Sequence, residues 1–150
     1  MFKKAAIALA ALATLVPSAM ANSQDTVISA LRNEDVRFTV RNDEIITEWE
    51  NDCVVIIKAN DSNKTFSVSG YSRTAVPRAK RDQALRTLNE MNIKYRLKYY
   101  LDEDGDVFVQ SAMDFDDMEL SQKAVTMTLF LVAKALDETR EEMMKVRYSN

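Results

Sequence analysis

Six short stretches between Val36 and Met113 have the residue pattern of β-strands, and a long apolar stretch behind them has that of a helix, which leaves few folds open. In VRFTV (36–40), Phe38 lies between Val36 and Val40 at a period of two, and EIITEW (44–49) answers it across Asn42 and Asp43. A turn at those two residues sets Arg41 opposite Glu44, Arg37 opposite Glu48 and Val36 opposite Trp49. Two charge pairs and one apolar pair then share a single register. CVVIIKA (53–59) is β-branched and apolar on both faces, which predicts a central strand. Asn60 to Lys64 is a polar turn, and TFSVSGYS (65–72) returns as a fourth strand. Ile93 to Leu101 and Asp106 to Met113 predict a second hairpin.

Three stretches follow the helical period instead. Val27, Ile28 and Leu31 predict a short amphipathic helix over Asp25 to Arg32. Pro77 suits the first turn of a second helix, whose buried stripe is Ala84, Leu85, Leu88 and Met91. The last helix starts near Ser121, an N-cap residue, behind the acids Asp116, Asp117 and Glu119, which complement a helix dipole. From Val125 to Leu136 it is apolar nearly all round and is expected to be buried on more than one side. Beyond Asp137 it becomes charged, with Glu141 placed to pair with Lys145. The fold expected is α+β: an antiparallel sheet of about six strands in the order α-β-β-β-β-α-β-β-α, packed by helices.

The tight cluster Asp102-Glu103-Asp104-Gly105-Asp106 raises a choice between a calcium loop and a turn. Calcium loops of the helix–loop–helix type place glycine sixth; here it is fourth and strands flank the cluster. A type I turn opened by Asp102, with Gly105 left-handed in a bulge, accounts for the residues. That turn pairs Asp102 with Asp106. It puts Leu101/Val107, Tyr99/Val109, Leu97/Ser111 and Tyr95/Met113 on the core side. The other side receives Tyr100/Phe108, Lys98/Gln110, Arg96/Ala112 and Lys94/Asp114, an aromatic and basic face.

The chain begins MFKK, continues through the apolar run Ala5 to Val16, and reaches Ala19 and Ala21, small residues a signal peptidase accepts. The reading is a signal peptide over 1–21, cleaved after Ala21, and one domain over 22–150, periplasmic or secreted. The apolar run is shorter than the roughly 20 residues a membrane-spanning helix needs, so no stable anchor is expected. Losing Lys3 and Lys4 leaves 18 basic and 23 acidic residues, net −5, a poor composition for binding nucleic acid. The chain has no histidine, which removes the commonest general base and metal ligand. Its acids fall in turns and at helix ends. No enzyme activity, cofactor or metal is expected.

The run LNEMNIKYRLKYYLDEDGDVFVQSAMDF, followed by ELSQKAVTMTLFLVAKAL, resembles the YbjN-domain family of bacterial sensory transduction regulators over roughly Asp25 to Asp137. Its most specific part is Leu88-Asn89, a strand, Leu101-Asp102, Asp104-Gly105-Asp106 and the long helix. The resemblance implies a fold similar to type III secretion chaperones, small α+β proteins that commonly dimerise and bind other polypeptides. It supplies no catalytic residues.

The function expected is therefore an exported, non-enzymatic, protein-binding or chaperone-like regulatory module, as a homodimer through the long helix or the open sheet face. The candidate contact residues are Lys94, Arg96, Lys98, Tyr100 and Phe108. The alternative is a periplasmic carrier of a lipid or small apolar ligand, with a pocket between the long helix and the sheet. Arg73, Arg78, Lys80 and Arg81 form a basic corner that is either solvated or receives an acidic partner or lipid headgroup. Cys53, the single cysteine, is either a buried small hydrophobe or a thiol for an intermolecular disulfide.

Overall fold

A computed structural model describes residues 22–50, 52–115 and 119–150. The expected signal peptide and the dipole role of Asp116 and Asp117 lie outside the described residues.

Helix α1 (Ser23–Asn33) begins where Asn22 accepts the Asp25 N–H at 2.7 Å, satisfying one of the donors a helix start leaves open. It buries Val27, Ala30 and Leu31. The chain leaves α1 through Asp35 at φ 55°, and the Val36 N–H returns to the Leu31 carbonyl at 2.9 Å. That closure holds Val36 at the helix end, so β1 spans only Thr39–Arg41. Its pairing with β2 (Glu44–Trp49) has the expected register, Arg41 opposite Glu44. The expected pairs Arg37/Glu48 and Val36/Trp49 are not part of the ladder.

Strands β3 (Cys53–Asn60) and β4 (Thr65–Ser72) follow the sequence reading closely. In β3 the alternate residues Cys53, Val55 and Ile57 are buried, while Val54 and Ile56 are half-buried on the other face. Pro77 precedes a single 3-10 turn, Arg78–Lys80, and α2 runs Arg81–Tyr95. Ala84, Leu88 and Met91 are buried as expected, but Leu85 is 40% exposed. The 84, 88, 91 stripe repeats every three or four residues, and a residue one step from Ala84 is turned off it.

The largest correction falls next. Ile93, Lys94 and Tyr95 extend α2, with Ile93 81% exposed, instead of opening a strand. The helix ends only at Arg96, left-handed at φ 55°, whose N–H bonds the Asn92 carbonyl at 2.9 Å. Strand β5 is therefore Lys98–Leu101, and it meets β6 (Val107–Asp114) in the expected register, Tyr100 opposite Phe108. The expected pairings of Lys94, Tyr95, Arg96 and Leu97 with β6 do not exist. The other edge of β6 pairs along its whole length with β4, so the six strands lie in the order β1-β2-β3-β4-β6-β5, all neighbours antiparallel.

Helix α3 (Gln122–Tyr148) starts at Ser121, whose Oγ accepts the Ala124 N–H. It crosses the inner face of the sheet over Gly70, where an added Cβ would stand 2.9 Å from Leu136 Cδ2 and 3.3 Å from Val132 Cγ1. Helices α1 and α2 pack beside it. Val125, Leu129, Val132, Leu136, Met143 and Val146 enter the core with Phe66, Val68, Val107 and Val109. Between Val125 and Leu136 the helix is buried against the sheet and flanked by α1 and α2, as expected, while Met127, Phe130 and Leu131 are exposed on its outer side, beyond which no described element lies. Lys145 pairs with Glu142 at 2.6 Å, not with Glu141.

Candidate functional site: the open sheet face

With the helices on one side, no described element covers the other face of the sheet. The strand registers align its residues into rows that cross the strands. One row runs Tyr100, Phe108, Tyr71, Val54, Glu48, from β5 to β2. Its aromatic members stack: Tyr100 on Phe108 at 4.8 Å between centroids and 10° between planes, Phe108 on Tyr71 at 5.6 Å and 23°. The next row is Lys98, Gln110, Ser69, Ile56, Ile46, with the Lys98 ammonium 5.8 Å from the Tyr100 ring. Beyond it Ala112, Ser67, Lys58 and Glu44 form a third row, closed by a 2.7 Å ion pair between the last two. Between the rows lies a groove of about 220 Å³, lined by Tyr71, Tyr100, Phe108, Ile56, Ser67 and Ser69 among others. An aromatic row beside small hydroxyl residues and flanking charges offers stacking, apolar contact and hydrogen bonds.

Of the five candidate residues, the structure brings Lys98, Tyr100 and Phe108 together on this face. Lys94 belongs to α2 and pairs with Glu138 of α3 at 2.7 Å, a carboxylate that also accepts the Tyr95 hydroxyl. Those two donors hold the Glu138 carboxyl below its ordinary range, and the same bond lifts Lys94 to about 12. Nearby, burial pushes Tyr99 up to about 12. Arg96 is exposed at the α2–β5 junction. The sequence reading missed Tyr71 and Val54. The alternation of Phe66, Val68, Gly70 and Ser72 toward the core already turns Tyr71 outward, but only the β4–β6 pairing puts it beside Phe108.

The acidic turn at the edge of this face is a structural clasp. The Gly105 N–H bonds the Asp102 carbonyl and Gly105 takes φ 82°, as a tight turn with a left-handed glycine requires. The Gly105 carbonyl then accepts from Val76 N–H at 2.9 Å and Thr74 Oγ1 at 2.7 Å, while Asp106 Oδ1 accepts the Thr74 and Ala75 N–H groups. Among the described residues no group of three or more acids or cysteines is arranged to hold a metal ion.

The basic corner is partly committed to structure. Arg81 donates to the Leu101 and Asp102 carbonyls, and Lys80 to the Ser149 carbonyl and hydroxyl beyond α3. Cys53 is buried at the start of β3, and burial raises its thiol pKa against the opposing hydrogen bond with Ser72. Behind it, between α3 and the end of β2, a cavity of about 480 Å³ opens beside Trp49 and Phe130. No described helix is long and apolar enough to cross a membrane.

A one-sided α+β platform of this kind is shared by several solved proteins. An uncharacterised protein from Methanothermobacter thermautotrophicus superposes with a TM-score of 0.62 at 13% identity, covering 83% of this chain and 99% of its own. YbjN from E. coli, described as "a putative transcription regulator", gives 0.58 at 13% identity, over 81% of this chain and 89% of its own. A protein in the HopA1–SchA chaperone–effector complex gives 0.58 at 11%, over 79% and 92%. The molecule thus has a chaperone-like fold, the class its sequence resemblance implied. The chain belongs to the YbjN family, whose model, described as "Putative bacterial sensory transduction regulator", matches residues 23–144. No curated protein matches the sequence.

Proposed function

We propose that the protein is an exported, non-enzymatic member of its family that binds a polypeptide on the open sheet face. The row Tyr100, Phe108 and Tyr71 is the observation that carries this reading. Three stacked aromatic rings stand on a face that no described element of the chain covers, and the domain's own core does not use them. The chaperone–effector relative supports a polypeptide as the partner. Lys98, Tyr100 and Phe108 are the contact residues, with Arg96 at the margin. Lys94 is held by Glu138 of α3 and is not a direct contact.

Export is proposed from Lys3, Lys4, the apolar run to Val16 and the Ala19/Ala21 pair. Cleavage after Ala21 leaves Asn22, the residue that caps α1, as the new terminus. The periplasm is then the place of action, and intact-mass measurement of the exported protein should give a chain starting at Asn22. A homodimer belongs to the same proposal; Met127 and Leu131 on the outer side of α3 are its candidate contact, tested by sedimentation of Leu131→Glu.

The test of the main reading places a photo-crosslinking residue at Tyr100 and, as the control, at Glu90, exposed on α2. Covalent capture of a polypeptide from Tyr100, lost on Phe108→Ser, is the expected result. Equal capture from both positions, or none from Tyr100 in cells that express the protein normally, refutes it. The carrier reading is favoured by one observation, the cavity beside Trp49.

A further inference from the structure

We propose that the cavity between α3 and the end of β2 binds a small alkylammonium cation. This site lies on the helix side of the sheet and is independent of the open face. Its walls are Trp49, Phe130 and Ala133, with Glu50, Asp137 and Lys134 around them and Cys53 at the back. The indole and phenyl rings meet edge to face, 5.8 Å between centroids at 81°, and so form a right-angled aromatic corner. The indole N–H is already spent on Thr47 Oγ1 at 2.7 Å, so Trp49 has no donor for an anionic or carbonyl ligand. What the corner offers instead is the electron-rich face of aromatic rings, which attracts a cation, tryptophan most strongly.

The charges agree with that sign. Two of the three ionisable side chains of known sign in the lining, Glu50 and Asp137, are acids, and Lys134 is directed to Glu138, its ammonium 4.0 Å from that carboxylate. The two carboxylates supply the counter-charge, and the aromatic walls with the Ala133 methyl supply apolar surface for alkyl groups on the nitrogen. Methylated nitrogen, which spreads its charge over an apolar surface, suits such a lining better than a primary amine. The volume, about 480 Å³, is within the range of small-ligand sites and leaves room for a trimethylammonium group with a short tail.

Trp49 is the single tryptophan of the chain, so its fluorescence reports this cavity alone. The probes are choline and 3,3-dimethyl-1-butanol, which replaces the nitrogen of choline by carbon and keeps its shape without the charge. Saturable change of Trp49 emission with choline, at least about tenfold tighter than with the neutral isostere, is expected from the cation–π contribution. Phe130→Ala, at a side chain that is partly solvent-exposed, should weaken choline by about tenfold, and Glu50→Gln should weaken choline but leave the isostere unchanged. Tyr100→Ala, on the opposite face, should change neither. Thermal melts of each variant verify folding, and a methyl-proton NMR titration of wild-type protein gives a second readout if emission is insensitive. Equal affinity for the two probes, or no saturable binding of choline by either readout, overturns the proposal.

Discussion

Gly105→Ala tests whether the acidic turn is a clasp. At φ 82° a residue with a Cβ incurs a steric cost of about 1–2 kcal/mol. The methyl would also stand 2.6 Å from Val76 N and 3.0 Å from Val76 C, with the Val76 carbonyl oxygen closer still. These are backbone atoms, so relief requires the β4–α2 connection to move off the turn. Moving it breaks the bonds from Val76 N–H and Thr74 Oγ1 to the Gly105 carbonyl, each worth about 1 kcal/mol net. The expected loss is about 3–4 kcal/mol, a large share of the roughly 5–15 kcal/mol a domain has. With a urea slope of about 2 kcal/mol/M, the unfolding midpoint should fall by about 1.5–2 M. Asp106→Ala removes the acceptor of the Thr74 and Ala75 N–H groups, so the double variant should lose less than the sum of the two singles. A midpoint shift below about 0.5 M for Gly105→Ala, or strict additivity, would show that the turn and the connection are not held as one unit.

Other perturbations read other parts of the fold. Gly70→Ala should cost about 1–3 kcal/mol in urea unfolding by overpacking β4 against Leu136 and Val132. Arg96→Gly relieves the left-handed strain at φ 55° and should raise stability by about 1 kcal/mol, seen as a higher melting temperature. The Cys53 thiol, buried and with its pKa raised, should react with a disulfide reagent at pH 8 more slowly than an exposed thiol does. Glu138 has a folded pKa below its ordinary 4.5, so its bonds to Lys94 and Tyr95 stabilise above that value and are lost as pH falls through the folded one. Glu138→Gln should therefore melt below wild type at pH 7, and the gap should close below pH 4.5.

What the sequence made legible was local. The Asn42/Asp43 and Gly105 turns fixed two hairpin registers, because a turn type and a period of two leave one pairing. The end of α2 was not legible, because Ile93 and Tyr95 suit a strand by propensity and a helix by position, and propensity is a weak prior that packing overrides. The stripe through Leu88 and Met91 decided for the helix, and with that choice Lys94 moved from the sheet to Glu138. Pairing of β6 with β4 joins residues some forty positions apart, and no local pattern announces it. The aromatic row depends on that pairing, so two of its members, Tyr100 and Phe108, could be read in advance and the third could not.

The placement of all three helices on one side has a consequence for the open face. Phe66, Val68, Val107 and Val109 build the core with α3, while Tyr71, Phe108 and Tyr100 alternate with them on the same strands but touch no helix side chain of that core. Truncating one of these rings removes a cross-strand stack worth about 0.5–1.5 kcal/mol and leaves no cavity inside the fold. The domain tolerates such a loss, whereas a bound partner that stacks on the row does not. Under the proposed function, stability and recognition fall on opposite faces of the same strands, so substitutions at Tyr100 and Phe108 should separate the two.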